Sequence, residues 1–481
     1  MLWLVIAICA AFALRALALI DATGLWSDEL YTIGKSFQPS FDALLAMLRV
    51  DTHPPLYYSA IWVWAQWFSP TAVSLRFVSW LVYLAGSAVI TVQAGALAGE
   101  RARRAMACAA LMAFCSPYPV RFAIEGKGYA LLVLLVALAW WFRRRQNRWL
   151  YGFSVACSAL THYYGFFLFG TAALWDAWRG QRRLSFTAVI ALLPSVVWMG
   201  VASTYLMRSG TGAWIGRPDF ALFEDTLTRA LGLWPFPKLV VLCLMGWAIL
   251  RWGTVVSTRS GTDVMQIQAQ PSLADRSGLL PSLWMVVGVV LVSFWKPLAF
   301  SRYFVVLLPA LIPWLAVRAA SWPFNPRGLR LAGVASGLLL LSWWWHSFAD
   351  IDPALSRDGA RESDQFQLIS RSLANQPYRY SRRERLFNLS DQTEVAAGRM
   401  QPPPTPWGGK SSLDRLLQEA SPPSVLWLAD SGDLQGIKPR IKPLLHRVQA
   451  SGYECTLGID QGPYAHIWRC ERLASPPEDQ S

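Results

Sequence analysis

The sequence predicts an α-helical polytopic membrane protein. It has about eleven transmembrane helices, a long first extracytoplasmic loop carrying an interfacial helix, and a small C-terminal α/β soluble domain. Three observations lead there. The 481 residues are 54% hydrophobic and include 26 Trp. Apolar runs of roughly 15–25 residues recur along the first 347 positions, bounded by arginine clusters. The charge is split: residues 1–347 hold 28 Lys and Arg against 13 Asp and Glu, whereas residues 348–481 hold 16 against 17. The net charge of +14 therefore does not mark a nucleic-acid binder, because the excess sits in short clusters between apolar runs, where orientation signals lie.

The runs are read as spans at 2–20, 74–98, 104–119, 128–142, 149–160, 164–177, 184–204, 237–251, 280–295, 304–318 and 330–347. Residues 1–20 lack the charged n-region of a signal peptide and are as long as a full span, so they are expected to be a retained first helix. Segment 55–69, PLYYSAIWVWAQWFS, is apolar enough to suggest a crossing, and charge parity argues against one. Without it, the clusters at Arg101/Arg103/Arg104, Arg143/Arg144/Arg145/Arg148, Arg179/Arg182/Arg183 and Arg318/Arg327/Arg330 all face the cytoplasm. Its Trp and Tyr suit a helix lying at the interface. Residues 21–73 then form one long outer loop, and eleven spans put the C-terminus outside. The domain limits are 1–347 for the membrane domain, 348–420 for a polar linker or arm marked by PPPTPWGG, and 421–481 for the α/β domain. Within the last, SVLWLAD, 453–459 and 464–472 read as strands and 437–450 as a short helix. Cys455 and Cys470 are able to pair there if the compartment is oxidising.

The chemistry-bearing residues collect at the expected outer face. Asp28 and Glu29 follow the first span, and Asp51, His53 and Tyr57 form a second polar knot in DTHPPLYY. Four of the thirteen acids in the membrane half fall between residues 25 and 58. A carboxylate at a membrane exit can take a proton from an incoming alcohol or amine; an ordinary solvated capping pair is the plainer alternative. Arg15 lies inside the first span, either snorkelling to the interface or facing a lipid phosphate. Glu125 and Lys127 stand in a loop too short to leave the membrane surface, and His162 and Tyr163 in another. Lys296 and Arg302 add cations at the rim, while Arg76 at the head of the second span reads as a structural snorkel. Cations on a phosphate leaving group together with a carboxylate on the nucleophile describe one task, displacement at a phosphate-linked centre.

These motifs resemble glycosyltransferase family 39, the group that includes protein O-mannosyltransferases and aminoarabinose transferases. The residues carrying the resemblance are LWSDELYT, DTHPPLYY, an E-x-K-x-Y variant of E-A-R-Y at Glu125, and KPLAFSRYFVVLLPAL, over roughly residues 1–320. The resemblance implies the GT-C fold, a polyprenyl-phosphate sugar donor and inverting transfer on the extracytoplasmic side of the cell (inner) membrane, in building or glycosylating the cell envelope. It implies Asp28 as catalytic base with Glu29 beside it and Glu125 as an orienting acid. The donor phosphate then meets Arg15, Lys127, Arg302 and Lys296, and the acceptor groove contains Asp51, His53, Tyr57, His162 and Tyr163. Lys127 stands where the family has arginine, a point charge in place of a bidentate fork. No cofactor is certain from the residues; some relatives bind a divalent metal near the donor phosphate. The acceptor is a lipid, a glycan or a protein. A transporter of lipid-linked sugars and a catalytically inactive binding subunit of the same fold are the alternatives.

Overall fold

In the computed structural model the described residues are 2–20, 27–36, 38, 40–68, 72–207, 215–232, 239, 243, 246, 272–322, 325–348, 384–388, 393–395, 417–418, 422, 424–431, 442–443, 445–460 and 465–473. They fall into two compact units. One comprises Met1–Ile20, Thr52–Tyr57 and Arg76–Ala349; the other comprises Asp21–Asp51, Tyr58–Leu75 and Asp350–Ser481.

The first unit is a helical membrane bundle. Its helices are α1 (Leu2–Ala18), α5 (Ala72–Ala98, from Arg76 onward), α6 (Ala102–Cys115), α7 (Pro117–Ala123), α8 (Tyr129–Arg144), α9 (Arg148–Thr161), α10 (Tyr163–Trp178), α11 (Arg182–Val201), α12 (Ser203–Leu206), α13 (Phe220–Leu231), α14 (Leu273–Arg276), α15 (Leu279–Ser293), α16 (Leu308–Ala320) and α17 (Pro326–Phe348). A 3-10 turn at Ser301–Leu307 leads into α16. Ten of the eleven expected apolar runs are thus helical, and 237–251 lies almost wholly outside the described residues. By length and apolarity, three described stretches are able to cross a bilayer: Val73–Cys115, Arg182–Val201 and Ser301–Ala320. The first is α5 and α6 joined through a 3-10 turn at Gly99, whose φ of 59° favours glycine.

Helix packing in lipid gains little from expelling water, so it depends on close approach and hydrogen bonds. Fully buried Ala139, Ala159, Ala172, Ala188 and Ala310 supply the first in the core around Trp140, Tyr151 and Phe169. Side chains that donate to backbone carbonyls of neighbouring helices supply the second. Arg76 is buried, not snorkelling: its Nη1 donates to the Ile20 carbonyl at 2.9 Å, just past the end of α1. Trp80 Nε1 donates to Ala13 O at 2.9 Å, and Trp343 Nε1 to Leu231 O at 3.1 Å at the end of α13. The bonds to Ile20 and Leu231 satisfy carbonyls that a helix end leaves open.

The second unit contains α2 (Ser27–Ser36), α3 (Phe41–Arg49) and most of α4 (Leu56–Trp67). The long first loop therefore holds three helices where the sequence suggested one. Ser40 caps α3 by accepting from Ala43 N at 3.2 Å, and Leu44, Met47 and Leu48 bury its apolar face. At 12 residues α4 is about 18 Å long, against roughly 30 Å of hydrocarbon. The unit also holds a five-stranded sheet of β1 (Glu384–Asn388), β2 (Thr393–Val395), β3 (Val425–Ser431), β4 (Tyr453–Asp460) and β5 (Ala465–Arg472), in the order β2-β1-β3-β5-β4. Only the β1–β3 pair is parallel. Strands β1 and β2 lie within 348–420, the stretch read from sequence as a polar arm; five residues suffice to extend an existing edge. Leu426, Leu428 and Trp468 build the small core, and Cys455 is disulfide-bonded to Cys470 directly across the β4–β5 ladder.

Candidate active site

The site in the bundle is built on two tight connections. Between α7 and α8 the chain reverses through Glu125–Gly128, where Lys127 N donates to Glu125 O at 2.8 Å. Both side chains are buried at 4% and 5% exposure, so neither is the solvated loop charge its setting in the sequence allowed. Glu125 faces Arg121 one helical turn back, at 3.6 Å. Gly128 admits Tyr57: a Cβ there would lie 3.1 Å from Tyr57 Cγ and 3.3 Å from its Cβ. Tyr57 is itself buried, so the HPPLYY segment packs on the Glu125–Lys127 turn at the closest approach glycine permits.

Between α9 and α10 a single residue, His162, turns the chain. It is extended (φ −157°, ψ 139°), and its Nδ1 accepts from Tyr164 N at 3.1 Å, capping α10. Its own N–H donates to Ser158 O at 3.1 Å and its carbonyl accepts from Gly165 N at 2.8 Å. Around the imidazole stand Tyr303 (4.8 Å between ring centres), Tyr164 (5.6 Å), Tyr129 (5.8 Å) and His53 (6.4 Å). Burial first, then the nearby charges of His53 and Lys127, lower its pKa to about 3, so the ring is neutral at any working pH. Half-buried His53 is held through Nδ1 by Thr52 Oγ1 at 3.2 Å. Tyr163 is half-buried on the first turn of α10.

A third wall comes from the 3-10 turn carrying Arg302 and Tyr303. Arg302 lies over the Phe300 ring at 4.8 Å. The turn is fastened through fully buried Ser301, whose carbonyl accepts from the Tyr118 hydroxyl and whose Oγ donates to Asp225 Oδ2. Arg229 Nε reaches Asp225 at 2.9 Å and Ser301 Oγ at 2.8 Å. The sequence reading missed Tyr118, Tyr129, Asp225, Arg229, Ser301 and Tyr303. A signal for α13 was present: Asp219 as N-cap, an Asp225–Arg229 pair at i, i+4 and Gly232 at the end.

The other expected site residues lie on other elements of the chain. Lys296 is exposed and donates to Leu206 O at 2.9 Å, a helix-end contact. Arg15 is half-buried in the last turn of α1. In the second unit, Asp28 and Glu29 occupy the first turn of α2, where carboxylates meet the positive end of the helix dipole. Glu29 is fully buried and Asp28 partly so, with Thr32 Oγ1 donating to the Asp28 carbonyl at 3.1 Å. Asp51, expected in the groove, is in a buried ion pair with Lys35 at 2.6 Å. Lys35 also stands 5.0 Å from the centre of the Tyr58 ring, another contact the sequence did not show. Among the described residues no group of three or more His, Cys, Asp or Glu is placed to hold a metal ion.

The bundle site thus offers one buried cation, a neutral imidazole, several phenols and a buried acid, a set suited to an anion joined to a polyol. The whole chain aligns with the crystal structure of ArnT from Cupriavidus metallidurans in the apo state. The TM-score is 0.60 at 11% identity, over 96% of this chain and 97% of that one. The same protein bound to undecaprenyl phosphate aligns with a TM-score of 0.55 at 13% identity over the same shares. The chain has the fold of ArnT. No protein-family model matches it, and no curated protein matches it by sequence. The likeness in fold extends over almost the full length of both chains.

Proposed function

We propose that this chain is a membrane glycosyltransferase of the family 39 type. It moves a sugar from a polyprenyl-phosphate donor to an extracytoplasmic lipid, glycan or protein acceptor, with inversion at the anomeric carbon. The observation that carries the reading is the buried Lys127 near His162, whose ring packs on Tyr303, in a bundle with the fold of ArnT, with the D-E pair on the next helix after α1 in the same chain. A lipid-borne phosphate is an anion that an ammonium and nearby neutral N–H and O–H donors are suited to hold. That ArnT is seen with undecaprenyl phosphate supports this class of donor.

In this reading Lys127, Arg302 and Arg15 neutralise the phosphate as it leaves. Asp28 takes the proton from the acceptor oxygen or nitrogen, which attacks the anomeric carbon as the bond from that carbon to the phosphate oxygen breaks. Glu125, fixed by Arg121, orients a sugar or acceptor hydroxyl. Asp51 keeps Lys35 in place and contributes to the groove indirectly. Lys296 lies on the rim. No step is assigned to a metal.

The test is incubation of purified protein with a panel of polyprenyl-phosphate sugars, with mass spectrometry of the lipid before and after. Release of sugar from one of them by the wild type, and none from Asp28→Asn at unchanged thermal stability, is the expected result. Wild-type turnover by Asp28→Asn removes the assigned base, and no release from any donor removes the reading.

A further inference from the structure

His162 breaks a local preference. It occupies the N-cap of α10, a position where Asn, Asp and Ser are favoured, and caps it through a ring nitrogen. A residue that departs from the local rule without improving the fold points to a use elsewhere. The capping bond has a chemical consequence. Nδ1 accepts from Tyr164 N, so the neutral ring must carry its proton on Nε2. This side chain is more than nine-tenths buried at 9% exposure, and its Nε2 has no hydrogen-bond partner among the described residues. Its surroundings come from five places in the chain: His53 before α4, Lys127 before α8, Tyr129 on α8, Tyr164 on α10, and Tyr303 on the 3-10 turn. None of these neighbours is an acid.

We infer that His162 is a donor-binding residue whose Nε2–H bonds a phosphate oxygen of the lipid-linked substrate beside Lys127. The inference rests on the proposed donor class and deepens it. Lys127 supplies charge without direction, because an ammonium on a flexible stem is a point charge. A ring N–H locked by a backbone bond supplies direction without charge. Together they provide the attraction and the orientation that a guanidinium fork would give in one side chain. The proton is held on Nε2 by the cap, so the residue acts as a fixed donor and takes no part in proton transfer.

The capping and donor roles separate by substitution. In His162→Asn the amide oxygen replaces Nδ1 as cap acceptor, while nothing reaches the position of Nε2. In His162→Gln the amide N–H reaches that position and the cap is lost. Two measurements are made on purified full-length protein in nanodiscs: binding of undecaprenyl phosphate, and kcat/KM for whichever polyprenyl-phosphate sugar the wild type consumes. The expected result is a loss of about 10- to 100-fold in both for Asn, at a Tm unchanged above pH 7. Gln is expected to recover affinity to within a few-fold despite a lower Tm, and the Asn loss is expected to be the same from pH 5 to pH 8. Wild-type affinity in the Asn variant overturns the inference, as does affinity that tracks Tm across the two variants. The binding arm decides this even if no sugar is released, an outcome that counts against the transferase reading alone.

Discussion

A neutral buried histidine leaves a thermodynamic signature. Above pH 6.5 His162 is uncharged folded or unfolded and adds no pH dependence. Below it the unfolded chain binds a proton that the folded ring refuses until about pH 3, so stability falls as the pH drops, by about 1.4 kcal/mol per unit. Melting in detergent from pH 7 to pH 5 is therefore expected to show a Tm loss in the wild type that His162→Asn largely removes. Gly128 permits an equally local test. A methyl there meets the Tyr57 ring stem at 3.1–3.3 Å on one side and Thr161 Cγ2 at 3.4 Å on the other. Gly128→Ala is expected to move the Lys127 turn, lowering transfer by about tenfold, with a stability cost of about 1–3 kcal/mol for overpacking. Unchanged kinetics at a lowered Tm would show that this contact serves packing alone. The types at these positions were legible in the sequence: Glu125, Lys127 and His162 stood out as polar residues in short connections between apolar runs, and His53 in the DTHPPLYY knot of the long first loop. Their partners were not, because the contacts of Tyr57 with Gly128 and of His53 with His162 join positions 71 and 109 residues apart.

At the scale of helices, the arginine clusters were read as orientation signals, and Arg143 shows what that reading omits. It is buried at the end of α8, with Nε donating to Asp176 Oδ2 at 3.0 Å and Nη1 to the Asp275 carbonyl at 3.3 Å. Asp275 also accepts from Trp175 Nε1 at 2.6 Å. The C-terminal ends of α8 and α10 and the short α14 are thus tied by one cation between two acids. Gly278 follows with φ 86°, where a Cβ would lie 2.5 Å from the Trp140 ring. Periodicity and composition found these helices because an apolar run declares itself locally. They could not find the tie, whose members lie 33 and 132 residues apart. Removing one partner leaves a buried charge, so Asp176→Ala is expected to cost about 3–5 kcal/mol and to lower Tm. An Arg143→Met/Asp176→Leu pair is expected to recover most of that loss. Equal melting of Asp176→Ala and wild type would mean that water reaches the tie.

For the whole molecule, the remaining expectation is orientation, and cysteine chemistry tests it independently of the charge count. From the sequence, positive clusters in the loops assigned inside and an odd number of spans predict the C-terminal sheet outside. The Cys455–Cys470 bond across β4 and β5 suits that side, because thiols in a reducing cytoplasm rarely stay paired. The other five cysteines are unpaired, and all of them precede the sheet in the chain. A variant with those five changed to Ala leaves the two sheet thiols as reporters. In intact cells they are expected to resist a membrane-impermeant maleimide until an impermeant reductant is added, and then both to label. Labelling only after lysis, with no reductant needed, would place the sheet in the cytoplasm. It would also reverse the parity argument, which then requires segment 55–69 to cross or one of the eleven runs not to. The two cases differ at Arg103 and Arg182: a cysteine introduced at either should be shielded from the impermeant reagent in intact cells if the inner-loop assignment is right.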